Sequence, residues 1–165
     1  MTDTAAPQPA PATGPQVLLQ KIYLKDASIE IPQAPAIFTR TEQPAIDIAL
    51  NTNAANIGND NFQVTLSITV TAKMPGGDTA FLIEAHQAGI FLVKGFENPA
   101  EVEGVLGVFC PNTIFPFARE AIADLMQRAG FTPVLLQPVN FEALFIEHRN
   151  RRAAATAAAP VAVAH

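Results

Sequence analysis

The stretch NFQVTLSITVTA, residues 61–72, has the clearest periodicity in the chain. Apolar side chains alternate along it with amide and hydroxyl side chains. The apolar positions are Phe62, Val64, Leu66, Ile68 and Val70. A period of two, enriched in β-branched residues, predicts a strand with one apolar face and one hydroxyl-lined face.

Three further strands are predicted around this one. A shorter alternation in PAIDIALNT, residues 44–52, predicts the preceding strand, and the turn-forming residues 53–61 separate the two. The turn PGGD, residues 75–78, leads into a fourth strand at 79–96. The stretch VLLQKIYLKDASIEI, residues 17–31, predicts a long first strand. We therefore expect a four-stranded, mostly antiparallel meander.

The fourth strand carries apolar side chains on both of its faces. One face holds Phe81, Ile83, Ala85, Phe91 and Val93. The other face mixes apolar and polar side chains, namely Leu82, Glu84, His86, Ile90, Leu92 and Lys94. Neither face is therefore expected to be simply solvated. In the first strand, the same alternation places Asp26, Ser28 and Glu30 on one face.

Helices follow the strands. From Pro116 onward an apolar stripe predicts an amphipathic helix, capped at its start by Asn112 or Thr113 and stopped at Gly130. The Cys110–Pro111 junction disfavours α geometry, so a kink or break is expected there. Residues 99–109 form a glycine-weakened helical stretch.

A last helix is predicted at residues 141–152, capped by Asn140, with the basic cluster 149–152 at its end, where cations suit the helix dipole. The order of elements predicts an α+β fold: a four-stranded antiparallel sheet with two main helices packed on one face. Because these helices cover one face well, apolar groups on the other face predict self-association.

Composition limits the remaining possibilities. The 165 residues predict one domain at 17–152, between a disordered tail at 1–16 and a flexible tail at 153–165 that lack large apolar side chains. A net charge of −5 argues against nucleic-acid binding. One cysteine, no secretory signal and no apolar run of about 20 residues predict a cytoplasmic protein.

No catalytic or metal-binding motif is recognised in the chain. A cysteine nucleophile needs a base within hydrogen-bonding reach, and no motif ties His86 or His148 to Cys110. A free cysteine in such a setting behaves as a small buried hydrophobic residue. No zinc-ligand spacing and no phosphate-binding loop is present. We therefore expect neither enzymatic activity, nor a cofactor, nor a metal.

The segment GVFCPNTIFPFARE, residues 107–120, followed by PVLLQPVNFEALF, residues 133–145, resembles the most characteristic part of SecB, the export chaperone family of Gram-negative bacteria. The likeness extends back through 79–91 and 21–38. It implies a cytoplasmic homotetramer, a dimer of dimers, that holds unfolded preproteins without ATP. It also implies delivery of these clients to the SecA ATPase, with no direct insertion into the membrane.

The resemblance also implies roles for individual residues. The SecA-binding positions would be Asp26, Glu30, Leu82 and Glu84, and the alternation of the strands places each pair on one face. The positions supporting association of dimers would be Ile83, Ala85 and Gln87. The client-binding groove would be formed by Ile46, Ile48, Leu50, Phe109, Cys110, Phe141, Leu144 and Phe145, although each of these also fits a plain core.

One departure from the family and two alternative functions are noted. Many relatives carry a tryptophan just before the Gln-Pro of the second strand, where this chain has Glu42 and no tryptophan anywhere. A SecB-like chaperone dedicated to an antitoxin is one alternative. A carrier of a small apolar ligand is the other, and it predicts a closed pocket.

Overall fold

The structure, a computed structural model, describes residues 14–158. It contains four strands: β1 (Gln16–Glu30), β2 (Ala45–Gly58), β3 (Asn61–Lys73) and β4 (Thr79–Lys94). These are followed by α1 (Pro99–Gly104), a π-helical turn (Val105–Phe109), α2 (Cys110–Arg128) and α3 (Phe141–Ala158), and a short 3-10 helix (Ala36–Thr39) precedes β2. Within the described range, no helix has the length and apolar character needed to span a membrane.

The four strands form one antiparallel sheet in the order β1-β4-β3-β2. The predicted α+β fold class is confirmed, but the predicted meander is wrong at one point. β1 pairs with β4 rather than with β2, and residues 31–44 connect the two edges of the sheet. Turn residues define only the neighbours β2–β3 and β3–β4, whereas no local signal specifies the long-range pairing of β1.

The β2–β3 connection is tighter than predicted. Residues 53–58 continue β2, and only Asn59 and Asp60 form the turn, with φ of 53° and 60°. Positive φ at both central residues is typical of the two-residue turns that join twisted antiparallel strands. The asparagine-rich segment was predicted as a loop, but pairing with β3 holds it in extended geometry.

The hydrophobic core lies on the sheet face that α2 covers. Side chains of β3, β4 and α2 are fully buried there, among them Leu66, Ile68, Ile83, Phe91, Ile114 and Ile122. Burial of a large aliphatic or aromatic side chain stabilises the folded state by about 1.5–3 kcal/mol. This layer therefore fixes α2 against the centre of the sheet.

The helical segment from Pro99 to Arg128 is continuous, so of the expected kink or break at Cys110–Pro111 the break is wrong, and the helix type changes there from π to α. Cys110 has α-helical angles, φ −63° and ψ −51°. The π-helical turn ends at Phe109, two residues before Pro111, so the missing proline N–H falls close to the change of helical register. The helix is capped by Asn98, whose side chain accepts a hydrogen bond from the Ala100 N–H at 3.0 Å.

The predicted caps Asn112 and Thr113 therefore lie inside the helical segment. The Thr113 hydroxyl instead donates to the Phe109 carbonyl oxygen at 2.8 Å. In α3, the predicted cap is confirmed, because the Asn140 side chain accepts from the Ala143 N–H at 3.0 Å.

α3 continues to Ala158, beyond the predicted domain end at residue 152. The basic residues 149–152 are consequently not in its last turn, and the dipole explanation for them is wrong. Of the two predicted tails, residues 1–13 and 159–165 lie outside the described range.

Candidate functional site

The sheet face opposite α2, here called the outer face, brings the four predicted SecA-binding positions together. Glu30 pairs with Leu82, and Ser28 pairs with Glu84, across the β1–β4 ladder. Directly paired residues of antiparallel strands point to the same side of the sheet. Asp26, Glu30 and Glu84 are exposed, and Leu82 is partly exposed. The result is a carboxylate-rich patch with an apolar side chain at one end.

Two irregularities in β1 determine which of its residues share this patch. The register shifts between Leu19 and Lys21 and again between Leu24 and Asp26. Each shift inverts the alternation of faces, so Tyr23 lies on the outer face together with Asp26. If the side chains of β1 alternated strictly between the two faces from residue 17, Tyr23 and Asp26 would lie on different faces of the sheet. The predicted pair Asp26 and Glu30 is unaffected, because both lie beyond the second shift.

Hydrogen bonds hold the uncharged side chains of the outer face. The Tyr23 hydroxyl donates to the Gln63 side-chain oxygen at 3.0 Å, and the Gln63 amide donates to the Thr65 hydroxyl at 3.2 Å. Ser67 Oγ lies 2.7 Å from His86 Nδ1. The hydroxyl-lined face of β3 was predicted, but its partners on β1 and β4 depend on long-range register.

The three positions predicted to support association of dimers lie on the inner face of β4. Ile83 and Ala85 are fully buried, and Gln87 is 4% exposed. No second chain can contact these side chains directly in this conformation. Their effect on assembly stays a prediction, and it would act through the helix layer packed over them.

A groove between β2 and α3, here called groove 1, brings together four of the predicted client-binding residues. Its volume is about 560 Å³. Its apolar lining consists of Leu50, Leu106, Phe141, Leu144 and Phe145. Charged side chains also line it, namely Glu103, Glu147, Arg151 and Arg152, and Arg151 pairs with Glu147 along the helix. An apolar segment of a partner could therefore be buried between two polar margins.

A second groove, groove 2, lies beside the crossing segment and the turn after α2. It measures about 450 Å³ and contains Ile46 together with an aromatic cluster. The Phe131 ring centroid lies 5.3 Å from that of Phe38 and 4.6 Å from that of Phe81. Sequence reasoning missed this cluster, because its members come from three distant segments. Glu42, where many relatives have tryptophan, also lines groove 2.

The remaining predicted groove residues are distributed differently. Ile48 is 45% exposed on β2, and Phe109 is 51% exposed on the helical segment, but neither lines groove 1 or groove 2. Cys110 is fully buried in the core. Because no partner can reach it in this conformation, the assignment of Cys110 to a client-binding groove is wrong.

The chemistry of Cys110 agrees with a structural role. Burial raises the pKa of its thiol to about 12, so the nucleophilic thiolate is disfavoured at neutral pH. Among residues 14–158, no three or more His, Cys, Asp or Glu side chains are grouped so that they could hold a metal ion. The two surfaces differ in character: grooves with both apolar and polar side chains run along β2, and exposed carboxylates lie on the outer face of β1 and β4.

Comparison with known proteins places these surfaces in context. The sequence model of the family described as "Preprotein translocase subunit SecB" matches residues 10–152. The protein-export protein SecB of Dechloromonas aromatica is 46% identical over 143 residues, covering 87% of this chain and 93% of that protein. The SecB of Chromobacterium violaceum is 45% identical over 141 residues, covering 86% and 93% of the two chains.

Among solved structures, a SecB-like chaperone of Mycobacterium tuberculosis has a similar fold. It was solved in complex with a ChAD peptide from the HigA1 antitoxin. The TM-score is 0.62 at 16% identity, and the match covers 74% of this chain and 90% of that chain. At this identity, the likeness shows the fold alone.

Proposed function

The chain belongs to the SecB family, and on that premise we propose that it is a cytoplasmic, ATP-independent chaperone that holds unfolded preproteins and delivers them to the SecA motor. The observation that carries this proposal is the separation of two surfaces. Two grooves with both apolar and polar side chains run along β2, and a carboxylate patch occupies the outer face of β1 and β4. Client and motor can therefore be bound at the same time.

The grooves suit unfolded chains because each places apolar side chains beside polar ones along the edge strand β2. An unfolded preprotein exposes apolar segments, and burying them contributes about 25 cal/mol per Å² before the cost of ordering is subtracted. Groove 1 and groove 2 lie along the same strand, since Leu50 lines one and Ile46 lines the other. Two segments of one client can therefore bind at the same time. Once the first segment is bound, the second is present at a high effective concentration, so two weak contacts give a tighter complex.

The outer face suits a basic partner. Asp26, Glu30 and Glu84 are exposed, and no lysine or arginine is paired with them across the strands. Charged surfaces of this kind raise association rates and select partners of opposite charge. Because Asp26, Glu30 and Glu84 line neither groove, we expect SecA to dock without first displacing the client.

The assembly is proposed to be a homotetramer, a dimer of dimers. Large apolar side chains remain exposed on the edge strand β1, with Leu18, Leu19 and Leu24 each 44–54% exposed. A row of exposed aliphatic side chains on an unpaired strand edge is typical of a surface that is covered in an assembly.

The function is tested by the aggregation of an unfolded preprotein, followed by light scattering with and without the chaperone. Leu144→Gln removes an apolar side chain that lines groove 1, and we expect weaker suppression of aggregation. Ile146→Gln is the matched control: both side chains are exposed on α3, at 41% and 45%, but Ile146 does not line the groove. Equal suppression by both variants would contradict the role of groove 1.

Docking to SecA is tested with a charge reversal, by measuring the dissociation constant of purified SecA from the chaperone. Glu84→Lys places a cation in the carboxylate patch, so SecA should bind at least about tenfold more weakly while the chaperone retains its mass and holding activity. The control is Glu97→Lys, which reverses an exposed charge in the loop before α1. Unchanged SecA affinity in Glu84→Lys would count against the outer face as the docking surface.

The antitoxin alternative is less well supported than export. The relatives that match at 45–46% identity over most of the chain are named as protein-export proteins. The chaperone solved with an antitoxin peptide shares 16% of its residues with this chain. The small-ligand carrier predicts a closed pocket, whereas both grooves are open along one side of β2.

A further inference from the structure

The α2–α3 connection, residues 129–140, contributes to the walls of both grooves. Val134 lines groove 2, and Phe141, which directly follows the connection, lines groove 1. Residues 132–139 have no regular secondary structure, and they form no backbone–backbone hydrogen bond with any residue in the described range. The position of this part of the chain therefore depends on side chains that reach it from neighbouring elements.

Two side chains of α2 reach backbone groups of the connection. On the side of groove 2, Met126 Sδ accepts a hydrogen bond from the Val134 N–H at 3.4 Å. Two residues farther along, Arg119 Nη1 donates to the carbonyl oxygen of Leu136 at 3.4 Å, and Leu136 is buried. A thioether sulfur is a weak acceptor, whereas a guanidinium is a charged donor. Arg119 therefore provides the stronger of the two anchors.

Arg119 also contacts a ring that packs against the start of α3. Its guanidinium carbon Cζ lies 5.3 Å from the centroid of the Phe115 ring, within the range of a cation–π contact. The Phe115 ring meets the Phe141 ring edge to face, with 5.8 Å between the centroids. Phe141 is the first residue of α3, is 4% exposed and lines groove 1. Arg119 thus acts on groove 1 through the connection and through Phe115.

A comparison with Arg128, on the same helix, shows that this environment is specific to Arg119. Arg128 pairs with Asp124 of its own helix at 2.7 Å, and its side chain is 75% exposed. Arg119 is half-buried, and within residues 14–158 it forms no ion pair with a carboxylate. Partial burial of a charged group is unfavourable unless polar partners compensate for it. The partners of Arg119 are the Leu136 carbonyl and the Phe115 ring.

We propose that Arg119 is a positioning residue for client binding: it holds the α2–α3 connection and the start of α3 so that groove 1 is formed before a client arrives. This inference rests on the proposed function of groove 1. When only a fraction of the molecules is competent to bind, the apparent affinity falls by that fraction. If groove 1 is formed in about a tenth to a third of the molecules without the guanidinium, its affinity falls about three- to tenfold.

The experiment measures the two grooves separately. Because the chain contains no tryptophan, one introduced tryptophan reports on one groove. Leu144→Trp places this reporter in groove 1 and Phe38→Trp places it in groove 2, both at exposed positions. Tryptophan fluorescence then gives the dissociation constant of a synthetic leucine- and serine-rich peptide in each background, with and without Arg119→Met. We expect binding about three- to tenfold weaker in groove 1, and unchanged in groove 2, where Met126 holds the wall.

Two further variants separate positioning from the loss of a charge. Arg128→Met removes the same charge from the same helix, and it should leave both dissociation constants unchanged because Arg128 contacts Asp124 alone. Arg119→Lys keeps a cationic donor but loses the planar guanidinium, so its affinity in groove 1 should lie between those of the parent chain and Arg119→Met. Urea unfolding of every variant shows whether the fold is retained.

The possible results have distinct meanings. Unchanged binding in groove 1 of Arg119→Met would overturn the inference alone. So would an equal loss in both grooves, which indicates general destabilisation, or a lysine variant that binds as weakly as the methionine variant. If neither reporter detects the peptide in the parent background, the client-binding grooves and this inference are overturned together.

Discussion

Cys110 shows at the scale of a single residue how burial decides chemical character. Its side chain is fully buried in the core cluster that also contains Ile114, and burial raises the pKa of its thiol to about 12. The sequence permitted either a nucleophile or a hydrophobic residue at this position. The structure identifies it as a hydrophobic residue, because the uncharged thiol is the form that a core accommodates.

The raised pKa of Cys110 predicts a pH dependence of stability. The folded chain keeps the thiol proton up to about pH 12, whereas the unfolded chain loses it near the ordinary value of 9.0. The folded state therefore binds more protons in this window. The stabilisation is complete below about pH 9 and is lost as the pH rises towards 12, at up to about 1.4 kcal/mol per pH unit.

The measurement compares urea unfolding of the parent chain and Cys110→Ala between about pH 8 and 10.5. The alanine variant lacks the thiol, so the difference in unfolding free energy isolates the contribution of Cys110 from those of lysine and tyrosine. We expect this difference to be constant below about pH 9 and to shift against the parent chain above it. A constant difference across the whole range would contradict the assignment.

At the scale of elements, local sequence patterns predicted where the strands lie but not the order in which they pair. The alternation in residues 61–72 identified β3 and its two faces, and the alternation in β4 placed Ile83 and Glu84 on opposite sides. The pairing of β1 with β4 depends on side chains about 60 residues apart, for which no local signal exists. The bulges of β1 were equally invisible, because nothing in its composition marks them.

The helices show a similar division. Asn140 was recognised as a cap because its side chain acts within the next turn, and the structure confirms it. The Cys110–Pro111 junction predicts a kink or break, since a proline disfavours α geometry in the residue before it. In the structure a π-helical turn precedes it, and Gly107 of that turn lies against Phe145 of α3, a long-range contact that local rules do not describe.

Two glycines of the helical segment give a matched test of that packing. A methyl group at Gly107 would overlap the Phe145 ring, whereas a methyl group at Gly104 would meet nothing within 4 Å. Gly104→Ala should raise the free energy of unfolding by up to about 1 kcal/mol, because alanine is the better helix former. Gly107→Ala should lower it by about 1–3 kcal/mol, because α3 must move away.

Urea unfolding of both variants at one protein concentration provides the measurement. Gly107→Ala should also weaken the suppression of preprotein aggregation, since Gly107 and Phe145 both line groove 1. Gly104→Ala should leave the aggregation assay unchanged. Equal stabilisation by the two substitutions would show that α3 does not pack closely against the π-helical turn.

At the scale of the whole molecule, the two faces of the sheet differ in the side chains that they carry and in what covers them. On the inner face, Leu66, Ile68 and Ile83 are buried beneath α2. The outer face carries polar and charged side chains instead. On the helical layer, Phe109 and Phe117 remain 51% and 46% exposed. A second copy of the chain could bury these rings, and we therefore expect a shift of α2 to weaken the proposed assembly.

Ala85→Phe tests this coupling. Ala85 is fully buried on the face that α2 covers, and a phenylalanine there adds volume to a filled layer at a cost of about 1–3 kcal/mol. We expect α2 to shift outward and the proposed tetramer to split into dimers, seen as a halved mass in light scattering after size exclusion. The control is Ala49→Phe, at an exposed position of β2 paired with Thr69 on the outer face, which should leave the mass unchanged. A folded Ala85→Phe variant that keeps the mass of the parent assembly would show that the inner layer does not control the association of dimers.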